Sequence, residues 1–186
     1  MKKIICLISL CAISLFAETD LPKTEFSHAA IGVEGGALYF LDDVQDALDN
    51  TYYGLLEFEY LYFEKFRGVV QFGYSYLPTK GDAAYPGIHQ ASGRVGLDYP
   101  LPIAKPIAVG AGFSCIWLRA DDDGDVSQST LNDNETEFGF YARLDLPILI
   151  LKNWRMGAKF YYETLWTEPE TSQTAWFGFY LQRKLW

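Results

Sequence analysis

Residues 51–78 read TYYGLLEFEYLYFEKFRGVVQFGYSYLP. In the first half Leu56, Phe58, Tyr60 and Tyr62 share one parity, with Glu57 and Glu59 between them. In the second half Val70, Phe72, Tyr74 and Tyr76 are set against Arg67, Gln71, Gly73 and Ser75. A helix would scatter these residues around its axis, whereas a strand sends successive side chains to opposite faces. The short link at 63–66 then joins two antiparallel strands, 52–62 and 67–76. Each has one aromatic or aliphatic face and one face of charge and glycine.

The same alternation extends in both directions from this hairpin. It predicts further strands at about 29–41, 88–99, 107–118, 137–146, 154–166 and 174–186. Val95, Leu97 and Tyr99 oppose Arg94 and Asp98; Phe138, Phe140 and Leu144 oppose Gly139, Arg143 and Asp145. Met156, Phe160 and Tyr162 oppose Arg155, Lys159 and Glu163, and Phe177, Phe179 and Leu181 oppose Gly178, Tyr180 and Gln182. In the first strand Ile31, Val33 and Ala37 oppose Gly32, Glu34, Gly36 and Leu38. An even number of strands separated by turn residues is the pattern of an up-and-down antiparallel transmembrane β-barrel.

The connections support that reading. Those at 42–51, 77–87, 119–136 and 167–173 are polar, while those at 63–66, 100–106 and 147–153 are tight or Pro-rich. Longer outer loops and shorter inner turns are the asymmetry of a membrane barrel. Two inner ends resemble each other: Arg94, Asp98 and Pro100 precede one, and Arg143, Asp145 and Pro147 the other.

Alternation does not by itself say which face is inside, and a soluble lipocalin-like carrier of apolar ligands would bury the aromatic parity. Eight strands leave an interior just wide enough for side chains to fill. The aromatic parity carries more bulk than that interior should hold, while the polar parity carries most strand glycines. Aromatics therefore face lipid, with Tyr39, Tyr52, Tyr76, Tyr99, Trp117, Trp154 and Trp166 near strand ends as interfacial belts. The polar parity then encloses Glu34, Glu57, Glu59, Arg67, Arg94, Asp98, Arg143, Asp145, Arg155, Lys159 and Glu163, with Lys184 at a strand end. Unpaired charge in so narrow a space is costly, so an interior ion-pair network plugging the barrel is expected.

Residues 1–17 read as a secretory signal peptide, with Lys2 and Lys3 before an apolar run from Ile4 to Phe16 and a cut after Ala17. The barrel domain is then 18–186, and a bacterial envelope location follows. Cys6 and Cys11 leave with the signal, so Cys115 has no intramolecular partner. The remaining chain holds 13 basic against 24 acidic residues, which argues against nucleic acid as a partner.

With these features assembled, the chain resembles the small eight-stranded outer-membrane barrels typified by OmpX and the transmembrane domain of OmpA. The resemblance covers the whole chain after residue 17 and rests on architecture rather than on a diagnostic motif. It implies integral insertion in a bacterial outer membrane among lipid and lipopolysaccharide. It also implies delivery by the barrel-assembly machinery through a C-terminal aromatic signal. Phe179 and Trp186 match that signal in part, because Gln182 and Lys184 interrupt the parity counted back from Trp186.

Some similar barrels modify or cleave lipid A. A deacylase places a His base and a Ser nucleophile two positions apart on one strand face. Here Ala91 stands two residues after His89, with Ser92 on the opposite face, and His28 directly follows Ser27. No catalytic residue, cofactor or metal is assigned, and a non-enzymatic structural or surface-interaction role carried by acidic outer loops is expected. The acidic run Asp121, Asp122, Asp123, Gly124, Asp125 lacks the spacing of an EF-hand and reads as a solvated loop or a calcium ligand set. A small pore, a lipid A-modifying enzyme and a soluble carrier remain as alternatives.

Overall fold

The alternation becomes a closed sheet. The structure, a computed structural model, describes residues 29–62, 66–81, 86–102, 104, 106–120, 134–166 and 171–185. Residues 1–17, expected to be a signal peptide, His28, the acidic run Asp121–Asp125 and Trp186 lie outside the described residues.

The strands are β1 Ala29–Phe40, β2 Thr51–Tyr62, β3 Phe66–Pro78, β4 Gly87–Pro100, β5 Ala108–Ala120, β6 Asn134–Ile150, β7 Trp154–Leu165 and β8 Ser172–Lys184. Each pairs antiparallel with its sequence neighbours, and β8 returns to β1 to close an eight-stranded barrel. Closure leaves no unpaired sheet edge, the condition for crossing hydrocarbon with strands. At the seam Gly36 faces Gly178 and Phe40 faces Thr174. Gly36 sits where a Cβ would run into the backbone of Phe177 and Gly178, so only glycine fits this tight approach.

Burial settles which face is inside. Ile31, Leu56, Phe72, Val95, Phe113 and Phe179 are among the large apolar side chains exposed on the outer wall. Tyr39, Tyr52, Trp117, Trp154 and Trp166 are exposed near its two ends. Large apolar side chains are exposed on each of the eight strands, the surface of a chain solvated by lipid and far larger than the patches soluble proteins expose. The soluble-carrier alternative, which requires the aromatics inside, is overturned.

Strand ends shift from the sequence reading by up to four residues, most in β6, and the first loop adds a short helix. β6 continues through Pro147 to Ile150 and shortens the inner connection to residues 151–153. Its register shifts between Pro147 and Leu149, leaving the exposed Ile148 as the extra residue. A bulge is where a strand tolerates proline, because the missing N–H falls outside the regular ladder. At the outer end, the first loop holds one helical turn, α1 Val44–Ala47, folded over the barrel mouth.

Candidate functional site

The lumen is the enclosed chemical environment of this chain, and it has two tiers. Of the twelve charged residues placed inside by parity eleven are buried there, and Lys184, at the end of β8, is half-buried. The lower tier, towards the short turns, is ionic. Arg143 is its hub: Nε donates to Asp98 Oδ1 at 2.7 Å, Nη2 to Asp98 Oδ2, and Nη1 to Glu57 Oε2 at 2.5 Å. Arg155 Nη2 straddles Glu59, 2.9 Å and 2.8 Å from its two oxygens, and lies 3.4 Å from Asp145. Arg67 reaches Glu59 at 3.1 Å, Asp145 at 3.5 Å and Asp98 at 3.7 Å. Lys159 Nζ donates to Glu57 and lies 3.9 Å from Glu34. Shared forked contacts of this kind satisfy several lone pairs per guanidinium, which is what burying carboxylates requires.

Six carboxylates, those of Glu34, Glu57, Glu59, Asp98, Asp145 and Glu163, face five cations, those of Arg67, Arg94, Arg143, Arg155 and Lys159. Glu34 has the most distant cation, and neutral donors compensate. The hydroxyls of Tyr53 and Tyr161 donate to its two oxygens at 2.5 Å and 2.7 Å. Gln71 Nε2 donates to Glu57 at 2.6 Å and to the Tyr161 hydroxyl at 2.8 Å. Charge counting from the sequence missed these neutral partners, although Tyr53 shares parity with Glu57 and Glu59 on its own strand, and Tyr161 with Lys159 and Glu163 on its own.

Glycine makes the room. A Cβ on Gly110 would collide with Asp98 Oδ1 and crowd Arg143, and one on Gly178 would collide with the Tyr53 hydroxyl. The small residues of the polar parity are the space into which long ionic side chains fold.

Arg94 does not join the lower cluster, despite its sequence kinship with Arg143. It climbs instead, forking onto Glu163 with Nε at 3.0 Å and Nη2 at 2.8 Å. Its guanidinium lies over the Trp176 ring, 4.0 Å from the centroid. That stack is the boundary between tiers. Above it the polar-parity expectation fails, because lumen positions there carry Leu38, Leu55, Leu77, Ile116, Leu165 and Trp176, all buried. Leu77, Ile116, Leu165 and Trp176 of this set line a mostly apolar cavity of about 340 Å³ at the outer mouth, where Gln90, Glu137, Ser172 and Thr174 are its polar lining. Single-strand alternation hid this tier, since Leu38 and Trp176 share parity with glycine and charge.

Oxygens of Glu59, Asp98 and Asp145 come within 4.8 Å of one another, close enough to suggest a metal site. Arg67, Arg143 and Arg155 already supply positive charge to these carboxylates, so the donor set does not fit a divalent ion without displacing them. His89 lies on the lipid-facing parity of β4, bonded to the Tyr74 hydroxyl at 2.6 Å. Its ring packs edge-on to Tyr76 at 5.1 Å.

A closed antiparallel barrel with an apolar wall, interfacial aromatics and an ion-paired lumen defines a transmembrane β-barrel of the outer-membrane type. No protein-family model matches the chain, and no curated protein matches it. Solved structures do. The chain is similar to Neisserial surface protein A, at TM-score 0.65 and 11% identity over 86% of this chain and 98% of that one. It is also similar to the Yersinia pestis outer-membrane protein Ail in a phospholipid bilayer nanodisc, at TM-score 0.54 and 13% identity over 84% of this chain and 99% of that one. A crystal structure of Ail, the attachment invasion locus protein, matches at TM-score 0.50 and 12% identity over 84% and 98% of the two chains. At these identities the likeness is one of fold.

Proposed function

We propose that this chain is a non-enzymatic, integral protein of a bacterial outer membrane whose barrel is a rigid anchor and whose acidic outer loops carry its role at the surface. The observation that carries the reading is the lower lumen. Arg67, Arg143, Arg155 and Lys159 and their carboxylates knit together strands across the barrel, which leaves no aqueous path of useful width in an eight-stranded fold. What such a barrel offers the outside is its loops, where specificity is carried on rigid scaffolds. Asp42, Asp43, Asp46 and Asp49 make the first loop acidic, and the sequence at 121–125 adds four more aspartates. The structural neighbours described as a surface protein and an attachment protein are in keeping with this role.

The chain is read as entering the envelope through its 1–17 signal, with 18–186 forming the barrel and Phe179 and Trp186 presented to the assembly machinery. Outer-membrane lipid and lipopolysaccharide are its surroundings, and a surface ligand is its partner.

Three measurements test the reading. Protein from isolated outer membranes shifts its electrophoretic mobility on boiling, as a closed barrel does. Planar-bilayer recordings are expected to show no reproducible unitary conductance. Replacing residues 119–136 by a short turn abolishes surface binding while the heat-dependent shift persists. A changed lipid A mass on deleting the chain would instead make it an enzyme and overturn the proposal.

A further inference from the structure

The cavity above Arg94 departs from the usual construction of a transmembrane barrel, in which the interior is polar and the exterior apolar. Its floor is Trp176, held from below by Arg94 and flanked by Tyr53 in an edge contact with ring centroids 4.7 Å apart. Its walls include Phe40, Leu77, Ile116 and Leu118. Its roof is Val44 and Leu48 from the first loop. That roof is tied down: Asp49 N donates to Pro78 O at 2.8 Å, Lys80 N to Ala47 O at 2.8 Å, and Gln173 N to the Asp42 carboxylate. Leu48, which ends the helical turn and bridges to Thr79, belongs to one buried apolar cluster with Phe40, Leu77 and Trp176, so the roof and floor of the cup are parts of the same apolar surface.

The geometry points to a binding site in the outer mouth for a small, uncharged apolar molecule, an aliphatic alcohol or hydrocarbon. This site is distinct from the loop surface of the proposed role. Two features set the ligand class. An apolar cavity of about 150 Å³ stays dry and holds benzene; the volume here, about 340 Å³, is roughly twice that. On that scale it has room for a ligand of up to about thirteen heavy atoms, which includes the eleven of 1-decanol. Among the described lining residues Glu137 is the one that carries charge, and it is half-buried. No cation is among the described lining residues, so a carboxylate in this low-dielectric space would have no counter-charge, whereas Gln90, Glu137, Ser172 and Thr174 offer hydrogen bonds to a hydroxyl. The site therefore takes decanol-like molecules and rejects the corresponding fatty acids.

The test uses the full chain folded in phospholipid nanodiscs and a photoreactive diazirine analogue of 1-decanol. The barrel supplies its own control, because Ile116 and Leu118 face the lumen while Phe113 and Trp117, on the same strand, face lipid. The readout is the ratio of lumen adducts to lipid-face adducts, mapped by mass spectrometry. Excess 1-decanol is expected to lower that ratio about tenfold, and decanoate by less than about twofold. Leu118→Trp, which fills the cup, lowers the ratio as decanol does while the heat-dependent mobility shift shows a folded barrel. Should that variant not fold, Val44→Asp charges the roof from an exposed loop and has the same expected result. Adducts confined to Phe113 and Trp117, or a lumen signal that decanol does not displace, would overturn the site. Equal competition by decanoate would overturn the ligand class. Lumen adducts that arise only after residues 121–133 are shortened would show the chain's own loop to be the occupant, and would also overturn it. Loss of the mobility shift in the parent protein would instead sink the barrel reading, so the two failures are distinguishable.

Discussion

The Arg94 guanidinium lies 4.0 Å from the centre of the Trp176 ring, and this single stack divides the lumen into an ionic plug and an apolar cup. Cation–π contact and the forked pair with Glu163 use different parts of the same guanidinium, its face and its edge. Arg94→Met removes both and strands the Glu163 carboxylate in a site where both partners are fully buried. The expected cost is about 3–5 kcal/mol, read as a lower urea midpoint for unfolding from detergent micelles. The double variant Arg94→Met/Glu163→Leu recovers most of that loss, because the orphaned charge is gone. A double variant no better than the single one would show that the stack on Trp176, not the ion pair, holds this level of the barrel.

Glycine placement makes a second, sharper contrast. Gly110 faces the lumen, where an added methyl would meet Asp98 Oδ1 and the Leu97 carbonyl; Gly54 faces outward, with nothing within 4 Å of its Cβ position. Gly110→Ala is expected to cost about 1–3 kcal/mol by overpacking the ion cluster. Gly54→Ala is expected to be neutral or stabilising by up to about 1 kcal/mol, since it restricts the unfolded chain without a clash. Equal effects at both sites in the same urea titration would contradict the assignment of faces.

Much of this architecture was legible because the physics that makes it is local. In residues 52–62 and 67–76 the alternation names the strand, its two faces and its partner, and the register confirms Phe58 opposite Val70 and Glu57 opposite Gln71. The eleven luminal charges were legible for the same reason. Who pairs with whom was not, since Arg143 meets Glu57 from 86 residues away and Arg94 meets Glu163 from 69. Such partners are set by barrel closure and tilt, which no single strand encodes. The apolar cup was hidden differently. Leu77, Ile116, Leu165 and Trp176 come from four different strands, and only the closed sheet gathers them around one cavity. The continuation of β6 through Pro147 was missed because proline reads as a stop unless a bulge excuses it.

The outer wall predicts a depth-dependent response to charge. Phe113 stands midway along β5, exposed and within 4.6 Å of the Phe140 ring, itself 4.9 Å from Trp166. Tyr52 is at the outer end of β2 and 82% exposed. Phe113→Arg is expected to cost about 2–4 kcal/mol and Tyr52→Arg about 0–1 kcal/mol, following the fall in penalty from bilayer midplane to interface. Refolding into phospholipid vesicles and titrating with denaturant measures both. A larger penalty at residue 52 than at residue 113 would mean that the membrane-spanning band lies elsewhere on the wall.

The last prediction concerns Arg143, which joins Asp98 on β4 to Glu57 and Glu59 on β2 across the lumen. Its removal does two things at once. Arg143→Ala leaves three buried carboxylates with one fewer shared counter-charge, and it empties the bulk that crosses the barrel axis. The first effect lowers stability by about 3–5 kcal/mol, as breaking a buried ion pair does. The second opens a narrow acid-lined path, so bilayers containing the variant are expected to show a small cation-selective leak that the parent lacks. Arg143→Lys separates the two effects. It keeps the bulk and the charge but cannot fork onto both oxygens of Asp98, so it loses stability without leaking. A leak in the lysine variant would mean that bidentate geometry, rather than volume, closes the lumen. A silent and fully stable alanine variant would show that Arg67, Arg155 and Lys159 plug the barrel without Arg143.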